Sequence, residues 1–379
     1  MKVAQKLWRE SQGWDVTKAN DIGSEADLVI AFGNRLALED RTRFQELYTF
    51  FPNAQIVIGS TSGEIQDTQV LDNSIVATAI SFESTKLAVS HINIHEVDNS
   101  FQAGEQLVSR LVGEGLSHVF VLADGQLVNG SELVYGMNNK LPGKVSVTGG
   151  LAGDGVDFRK TLVGLNEAPA EGNIVAIGFY GDRLQIGHGS RGGWDPFGPE
   201  REITRSEGNV LYELDGQSAL DLYKNYLGEQ ADKLPGSALF FPLSVRLDAD
   251  DEPLVRTILS VDEKEKAMIF AGDVPEGASA RLMKANFDRL IGGAVNAADN
   301  ALQGVEEFVP DLAILISCVG RKLVLGERIE EEVEGVRDVL GENAAVAGFY
   351  SYGEISPFVP EARCKLHNQT MTITTFTEV

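Results

Sequence analysis

A motif that occurs three times along the chain constrains the fold more than any other feature. Residues 51–64 (FPNAQIVIGSTSGE) and 141–154 (LPGKVSVTGGLAGD) align without a gap. Residues 340–354 (LGENAAVAGFYSYGE) align with them after one inserted residue. The leading glycines of the three copies are Gly59, Gly149 and Gly348. Repetition of this kind indicates one structural unit that is built three times.

The flanks of the motif repeat as well. An apolar run typical of a strand lies about 30 residues upstream of each glycine loop, at residues 28–32, 119–123 and 312–317. Between run and loop, apolar residues recur at helical spacing, most clearly in residues 44–51 and 329–340. Each unit is therefore predicted to be strand, helix, strand, which the handedness of crossovers makes a right-handed parallel pair.

Two alternating runs follow each of the first two glycine loops and predict antiparallel hairpins. They are residues 74–82 with 86–94 and residues 173–180 with 183–189. A further amphipathic helix is predicted at about residues 280–302. The sequence thus predicts an α/β protein with mixed sheets, built from repeated strand-helix-strand-hairpin units.

A turn at residues 214–218 (LDGQS) suggests a division into two packed domains. We expect residues 1–25 to form an N-terminal extension, residues 26–215 a first domain and residues 216–379 a second. A chain of 379 residues is long enough for each domain to bury its own core.

Charge and composition exclude several classes of partner. The formal net charge is -24, which opposes binding to a phosphate backbone or to an anionic membrane surface. The longest apolar runs, such as residues 312–319, are less than half the ~20 residues that span a bilayer. The two cysteines, Cys318 and Cys364, provide no disulfide framework, and the amino terminus has no secretory signal. These features predict a cytoplasmic protein.

The glycine loops are candidate binding sites, because a loop at the carboxyl end of a strand exposes backbone N–H groups where open sheets place their crevices. Gly149 and Gly150 are candidates on this ground, although the glycines could equally serve only to turn the chain. The third copy adds aromatic and hydroxyl groups, which small-molecule pockets use. We expect the principal pocket to be lined by Tyr350, Ser351, Tyr352 and Glu354, with Arg321.

The segment GHGSRGG has the G-x-G-x-x-G spacing of a dinucleotide site, but two prolines follow where a helix would have to begin. The loop leaves Arg191 and Trp194 as candidates for an anionic or planar ligand, with an exposed turn as the alternative. No Walker A, HExxH, CxxC or nucleophile-elbow motif occurs. Nothing in these patterns specifies an enzyme.

Several segments resemble the FIST family of prokaryotic sensory domains. They are SCVGRKLVLGE, AAVAGFYSYGEISPF and CKLHNQTMTITTFTE in the carboxyl-terminal half, with IVIGSTSGEI, VTGGLAGDG and NIVAIGFYG before them. The resemblance covers about residues 26–375 and implies a stand-alone bacterial member with a FIST N-type and a FIST C-type domain.

The resemblance implies a cytosolic sensor that binds a small molecule and signals in trans to a partner, such as a histidine kinase or a cyclic-dinucleotide enzyme. Ligands proposed for the family include amino acids, and some members bind haem and sense nitric oxide. No output module is expected, since the sensor accounts for both ends of the chain. An enzyme of unknown reaction and a homo-oligomer stay open.

Haem would need an axial ligand, and His188 is the best candidate among the five histidines. It follows an apolar strand and precedes the loop with Arg191, whose guanidinium could pair with a propionate. A hydrogen-bonded loop histidine is the alternative. The sequence favours an amino-acid-like ligand, held by backbone N–H groups and one arginine, over haem.

Overall fold

The protein is described here from a computed structural model, which covers residues 1–18, 22–246, 252–303, 309–358 and 362–379. Its α-helices are α1 (Arg35–Glu39), α2 (Thr42–Phe50), α3 (Ser100–Ser109), α4 (Gly130–Lys140), α5 (Ala219–Leu227), α6 (Phe287–Leu302), α7 (Val319–Leu325) and α8 (Ile329–Leu340). Short 3-10 helices cover Gly23–Glu25, Ile94–Glu96, Gly228–Lys233, Gly236–Phe240 and Gly326–Arg328.

Most strands belong to the repeated units or to one insertion between the second and third unit. The strands before the insertion are β1 (Lys2–Arg9), β2 (Gly13–Lys18), β3 (Leu28–Asn34), β4 (Gln55–Thr61), β5 (Glu64–Gln66), β6 (Gln69–Leu71), β7 (Ser74–Ser81), β8 (Lys86–Asn93), β9 (Leu116–Ala123), β10 (Ser146–Leu151), β11 (Val163–Leu165), β12 (Asn173–Tyr180) and β13 (Leu184–Arg191).

The remaining strands form the insertion and the third unit. They are β14 (Asp195–Glu207), β15 (Val210–Leu214), β16 (Gln217–Ser218), β17 (Leu243–Arg246), β18 (Leu254–Arg256), β19 (Ile258–Asp262), β20 (Ala267–Phe270), β21 (Ser279–Lys284), β22 (Leu312–Cys318), β23 (Ala345–Ser351), β24 (Gly353–Pro357), β25 (Cys364–His367) and β26 (Met371–Glu378).

Each repeated unit contains one parallel pair of strands joined by helices: β3 with β4, β9 with β10, and β22 with β23. The three leading glycines all lie in the second strand of such a pair, where Gly59 pairs with Phe32, Gly149 with Val121 and Gly348 with Leu315. The predicted threefold repeat is confirmed. A third strand, β7, β12 or β26, then runs antiparallel to the first strand of its pair.

Three six-stranded sheets result, with the orders β11-β4-β3-β7-β1-β2, β25-β24-β10-β9-β12-β8 and β6-β5-β23-β22-β26-β13. The units exchange strands in a cycle. The short strand after each glycine loop leaves its own sheet, so that β5 joins the third sheet, β11 the first and β24 the second. This exchange ties the three sheets into one body.

The predicted hairpins do not form as such, because their two strands enter different sheets. The free edge of β7 is taken by β1, which pairs with it from Lys2↔Ser81 to Arg9↔Ser74. The following strand, β8, therefore pairs with β12, and β13 pairs with β26 in the same way. The alternating pattern predicted the strands correctly but not their partners.

The sheets share one central core. Alternate residues of each first strand point inward, among them Phe32, Phe120 and Ile316, and all three belong to one buried cluster. The residues between them point outward into three separate clusters that helices cover, with Val29, Val121 and Leu315 as examples. Strands buried on both faces require continuous apolar sequence, which explains the runs that the sequence shows.

The insertion folds as a separate β lobe over residues 195–284, with helix α5 packed on it. Its strands follow the order β18-β17-β21-β14-β15-β20-β19, with β16 beside β15. The lobe has its own apolar core, which includes Leu211, Tyr223 and Phe270. The helix predicted from about residue 280 begins only at Phe287, where the Asn286 side chain caps it, because residues 279–284 form β21.

The structure confirms the predicted fold class, an α/β protein with mixed sheets and repeated units. Within the residues that the structure describes, no helix combines the length and the apolar composition that a bilayer crossing requires.

Candidate functional site

A cleft of about 700 Å³ lies between the three-sheet body and the β lobe. Ligand sites commonly lie at such junctions. The body contributes Gly125, Gln126, Leu127, Val128, Asn129, Gly130, Leu151, Phe158, Cys318, Val319 and Tyr352. The lobe contributes Asn209, Pro235, Gly236, Leu239, Thr257, Ile258, Leu259, Ser260, Phe270, Ala271 and Gly272.

The body wall is made at the carboxyl ends of parallel strands, where open α/β sheets place their crevices. The loop after β9 supplies Gly125 to Gly130, and β10 ends at Leu151. The buried carboxylate of Asp124 holds this loop by accepting hydrogen bonds from the backbone N–H groups of Gln126 and Leu127, both at 2.8 Å. The wall is therefore preformed.

The lobe wall is fixed by contacts close to the cleft. Asn129 Nδ2 donates to Asp273 Oδ1 at 3.4 Å, and the Arg256 guanidinium donates to the carbonyl oxygen of Leu366 at 3.0 Å. Thr257, next to Arg256, lines the cleft and is only 5% exposed. Its hydroxyl has no hydrogen-bond partner in the described structure. A buried hydroxyl without a partner costs free energy, so a bound molecule or water would be stabilised there.

Two stacked aromatic rings border the cleft. Phe158 lies on Tyr352 with ring centroids 4.7 Å apart and an interplanar angle of 16°. The Tyr352 hydroxyl donates to Asp154. The pKa of Tyr352 lies well above its usual range, mainly because the side chain is buried and also because of this hydrogen bond. Phe158 is 41% exposed and has a backbone φ of 51°, a strained conformation for a residue with a side chain. Such strain persists where surrounding structure imposes it, often at ligand sites.

Only Tyr352 among the third-copy residues predicted to line the pocket does so. Arg321 and Tyr350 are fully buried in another network, in which both bind the carboxylate of Glu332. Ser351 and Glu354 are also fully buried, hydrogen-bonded to each other at 2.6 Å.

Glu354 has an equivalent in the first repeat, Glu64, and both carboxyl groups are fully buried. Glu64 binds Thr61 Oγ1 at 2.5 Å and accepts from Ser74, as Glu354 binds Ser351 and accepts from Thr370. Burial raises the pKa of Glu64 to about 7 and the pKa of Glu354 to about 8. Nearby charges act in opposite directions, since Asp72 raises the first pKa and Arg321 lowers the second.

The raised pKa values of these two carboxyl groups predict that the stability of the protein depends on pH. Their folded-state pKa values lie above the ordinary value of 4.5, so the folded protein binds protons that the unfolded chain releases. The contribution of these two groups to the free energy of unfolding should therefore fall as pH rises from about 5 to about 8 and then level off. Burial lowers the pKa of His118 to about 3 and that of His367 to about 4, so these two groups act in the opposite direction up to about pH 6.5. In Glu354→Gln the amide cannot ionise but can donate to Ser351 and accept from Thr370.

We expect wild-type protein to lose on the order of 3 kcal/mol more than Glu354→Gln between about pH 5.5 and about pH 8.5. Urea unfolding at both pH values measures this difference. The control is Glu334→Gln, which changes an exposed glutamate of α8 and should keep the wild-type slope. Equal slopes in all three proteins would contradict the prediction.

The remaining predicted ligand residues lie away from the cleft lining. Gly149 and Gly150 are buried inside β10, between β9 and β24. Arg191 and Trp194 border a second cavity of about 430 Å³ beside α6. Trp194 is buried and donates to the carbonyl oxygen of Gln369 at 2.9 Å, whereas Arg191 lies over the ring of Phe358. The structure does not bring these four residues together, and their role in binding stays a prediction.

His188 lies within β13, opposite Thr374 of β26, and does not line the cleft. Burial lowers its pKa, so the imidazole is neutral. Within the described cleft lining, Cys318 and Tyr352 are the side chains that could bind haem iron. Burial and the nearby Glu354 raise the pKa of Cys318 to about 12, and Tyr352 also stays protonated. Cys318 is also only 3% exposed and the Tyr352 hydroxyl is already bound to Asp154, so the residues of the cleft do not fit haem.

Several cleft residues were not predicted from the sequence. The DGQLVNG segment after the run at residues 119–123 follows a strand end and contains two glycines, so it could have been recognised as a strand-end loop. Thr257 and Phe158 carry no sequence pattern of this kind. Within the described residues, no group of three or more His, Cys, Asp or Glu side chains could hold a metal ion.

Comparisons with known proteins give few close relatives. An uncharacterized protein of Methanocaldococcus jannaschii, MJ1623, is 24% identical over 262 residues, which is 65% of this chain and 48% of the relative. The chain thus matches about half the length of that curated relative.

Two solved structures align with most of this chain at low similarity. A cyanuric acid hydrolase from A. caulinodans covers 93% of this chain and 90% of its own length, with 9% identity and a TM-score of 0.36. A chorismatase covers 100% and 99%, with 10% identity and a TM-score of 0.33. At these TM-scores neither likeness supports an argument about the fold or the activity of this chain.

Two domain families match this chain over most of its length. The FIST N domain matches residues 27–217 and the FIST C domain matches residues 219–357. FIST domains are sensor domains of signal transduction. The two matches cover most of the chain, which therefore belongs to the FIST family.

Proposed function

We propose that this protein is a small-molecule sensor whose ligand binds in the cleft between the three-sheet body and the β lobe. The observation that carries the proposal is the cleft itself, a cavity of about 700 Å³ with both lobes in its walls. This volume is within the range that holds metabolites and drug-sized ligands. A ligand that contacts both walls stabilises one arrangement of the two lobes, which a partner protein can recognise.

The chemistry of the walls supports binding rather than catalysis. Cys318 and Tyr352 are the cleft side chains with an exchangeable acidic proton among the described residues, and both are held protonated. A protonated thiol is a poor nucleophile and a protonated phenol a poor base at neutral pH. The ligand is therefore bound unchanged, and the signal passes in trans to a signalling protein, such as a histidine kinase or a cyclic-dinucleotide enzyme.

Closing the cleft with a large side chain tests the proposal. Ser260 is exposed at the rim of the cleft, so Ser260→Trp should fill the entrance without disturbing a core. Lys264→Trp is the matched control, since Lys264 is exposed four residues further on, outside the cleft lining. Equilibrium dialysis of each purified protein against a metabolite extract, followed by mass spectrometry, identifies the retained compounds.

We expect wild-type protein and Lys264→Trp to retain at least one common compound, and Ser260→Trp to retain roughly tenfold less of it or none. Circular dichroism and thermal unfolding establish that the variants are folded. Retention of the same compounds by all three proteins would place the ligand elsewhere. Failure of all three to retain any compound would contradict a sensor of small molecules in this cleft.

A further inference from the structure

We infer that the ligand of the cleft is an uncharged, flat and largely apolar molecule with a hydrogen-bonding group. This inference rests on the proposed function and adds the chemical class of the ligand. It follows from the charge, the shape and the polar groups of the cleft walls.

The charge of the walls excludes a ligand that needs a counter-ion. None of the described residues that line the cleft is an Asp, Glu, Lys or Arg. Arg256, the residue before Thr257, is buried and donates to the carbonyl oxygens of Asp273 and Leu366, both at 3.0 Å. An anionic group in the cleft would therefore lose hydration without gaining a cationic side chain as a partner, which is costly.

Three acidic side chains lie behind the lining, and each of them accepts at least one hydrogen bond from the protein. Asp124 accepts from three backbone N–H groups, of Gln126, Leu127 and Gly172. Asp154 accepts from the backbone N–H groups of Arg159 and Lys160 and from the Tyr352 hydroxyl. Asp273 accepts from the side-chain amide of Asn129. These carboxylates oppose an anion further and do not reach a cation inside the cleft. A zwitterionic amino acid would leave both of its charges unpaired.

The shape of the cleft favours a flat molecule. The Phe158 ring, stacked on Tyr352, presents a half-exposed aromatic surface at the cleft, and its backbone is held in a strained conformation. Aromatic faces stack favourably on other rings, by about 0.5–1.5 kcal/mol beyond the area that they bury. The buried lining residues Leu151, Ile258 and Phe270 provide an apolar floor.

The polar groups of the cleft are neutral and arranged at two levels. Thr257 offers a buried hydroxyl without a partner beside the floor, and this hydroxyl can donate or accept. Gln126, Asn129 and Ser260 are exposed at the rim. A carbonyl, amide or hydroxyl group on the ligand would complete these hydrogen bonds without a charge.

A panel of one-ring and two-ring aromatic fragments tests the inference. Each ring is prepared with a carboxamide, a carboxylate or an aminomethyl group, so that only the charge changes. Ligand-observed NMR titration gives the Kd of each fragment for wild-type protein, Ser260→Trp and Lys264→Trp. We expect carboxamides to bind at least about tenfold tighter than the charged members of the same ring, in wild-type protein and Lys264→Trp but not in Ser260→Trp.

Thr257→Val provides a second test, because valine keeps the shape of threonine and removes only the hydroxyl. We expect carboxamide binding to weaken by about fivefold to tenfold while the protein remains at least as stable, since an unsatisfied buried hydroxyl is lost. Unchanged binding in this variant would remove Thr257 from the site.

The outcomes distinguish a wrong ligand class from a wrong proposed function. Charged fragments that bind as tightly as carboxamides, and lose binding in Ser260→Trp, would overturn the ligand class while keeping the cleft as the site. Dialysis that finds a cleft ligand, together with no binding of any fragment, would also overturn the ligand class while keeping the cleft as the site. If neither experiment depends on Ser260→Trp, the proposed function fails and the inference fails with it.

Discussion

Replacement of Arg321 by methionine is expected to destabilise the protein by about 3–5 kcal/mol, a large share of the roughly 5–15 kcal/mol that stabilises a typical domain. Arg321 is fully buried and donates to Glu332 Oε2 through Nε at 3.1 Å and through Nη2 at 2.7 Å. It also donates to the carbonyl oxygens of Gly192 and Leu290. Methionine would leave the buried carboxylate of Glu332 without its cation. Guanidinium unfolding at neutral pH measures the loss.

Two further variants distinguish the buried charge from lost packing. Adding Glu332→Gln to Arg321→Met should recover part of the lost stability, because the unpaired carboxylate disappears while Tyr350 and Ser317 keep a partner. The control Arg328→Met removes a partly exposed cation that pairs with Asp288 and Glu331, and should cost less than about 1 kcal/mol. Similar losses for Arg321→Met and Arg328→Met would contradict the prediction.

The role of Arg321 shows where prediction from the sequence stops. An arginine after a buried strand can face a ligand or a buried carboxylate, and the residue types alone do not distinguish the two. Glu332 lies in a stretch of acids on α8 that the sequence pattern assigns to a solvated helix face. One of these acids points inward instead, because Arg321, Tyr350 and Ser317 together supply the hydrogen bonds that compensate its burial.

The elements of the repeated units could be predicted because their signals are local. Runs such as residues 312–317 are apolar throughout because the central core lies on one side of the strand and helices lie on the other. The partners of β8 and β13 could not be predicted, because the local pattern is the same whether two strands pair with each other or with separate sheets. The amino-terminal strand β1 occupies the edge of β7, so β8 has to pair with another strand.

The cleft could be predicted only in part for a similar reason. Its body wall follows from the rule that sites lie at the carboxyl ends of parallel strands, which the glycine loops indicated. Its lobe wall is formed by residues between positions 209 and 272, which begin about 80 residues after the β9 loop along the chain. Neutral side chains such as Thr257 and Asn209 leave no motif, so only the packing of the lobe on the body reveals them.

The three leading glycines differ in the atoms that face them, so we expect different losses of stability when each is replaced by alanine. A Cβ atom at Gly348 would lie 2.0 Å from the carbonyl oxygen of Leu315 in the neighbouring parallel strand. At Gly149 it would lie 1.9 Å from the carbonyl oxygen of Val121, and the backbone φ of 148° is unfavourable as well. At Gly59 the Cβ would instead meet the end of the Leu122 side chain, at 2.4 Å.

We therefore expect Gly348→Ala and Gly149→Ala to cost more than about 4 kcal/mol, since strand pairs at the centre of the body would have to separate. Gly59→Ala should cost about 1–3 kcal/mol, because Leu122 can change its rotamer. Soluble yield and urea unfolding of the three variants measure the difference. Equal losses at all three positions would mean that the requirement for glycine comes from the repeat as a whole. The predicted order instead assigns it to the backbone oxygen that faces Gly149 and Gly348 but not Gly59.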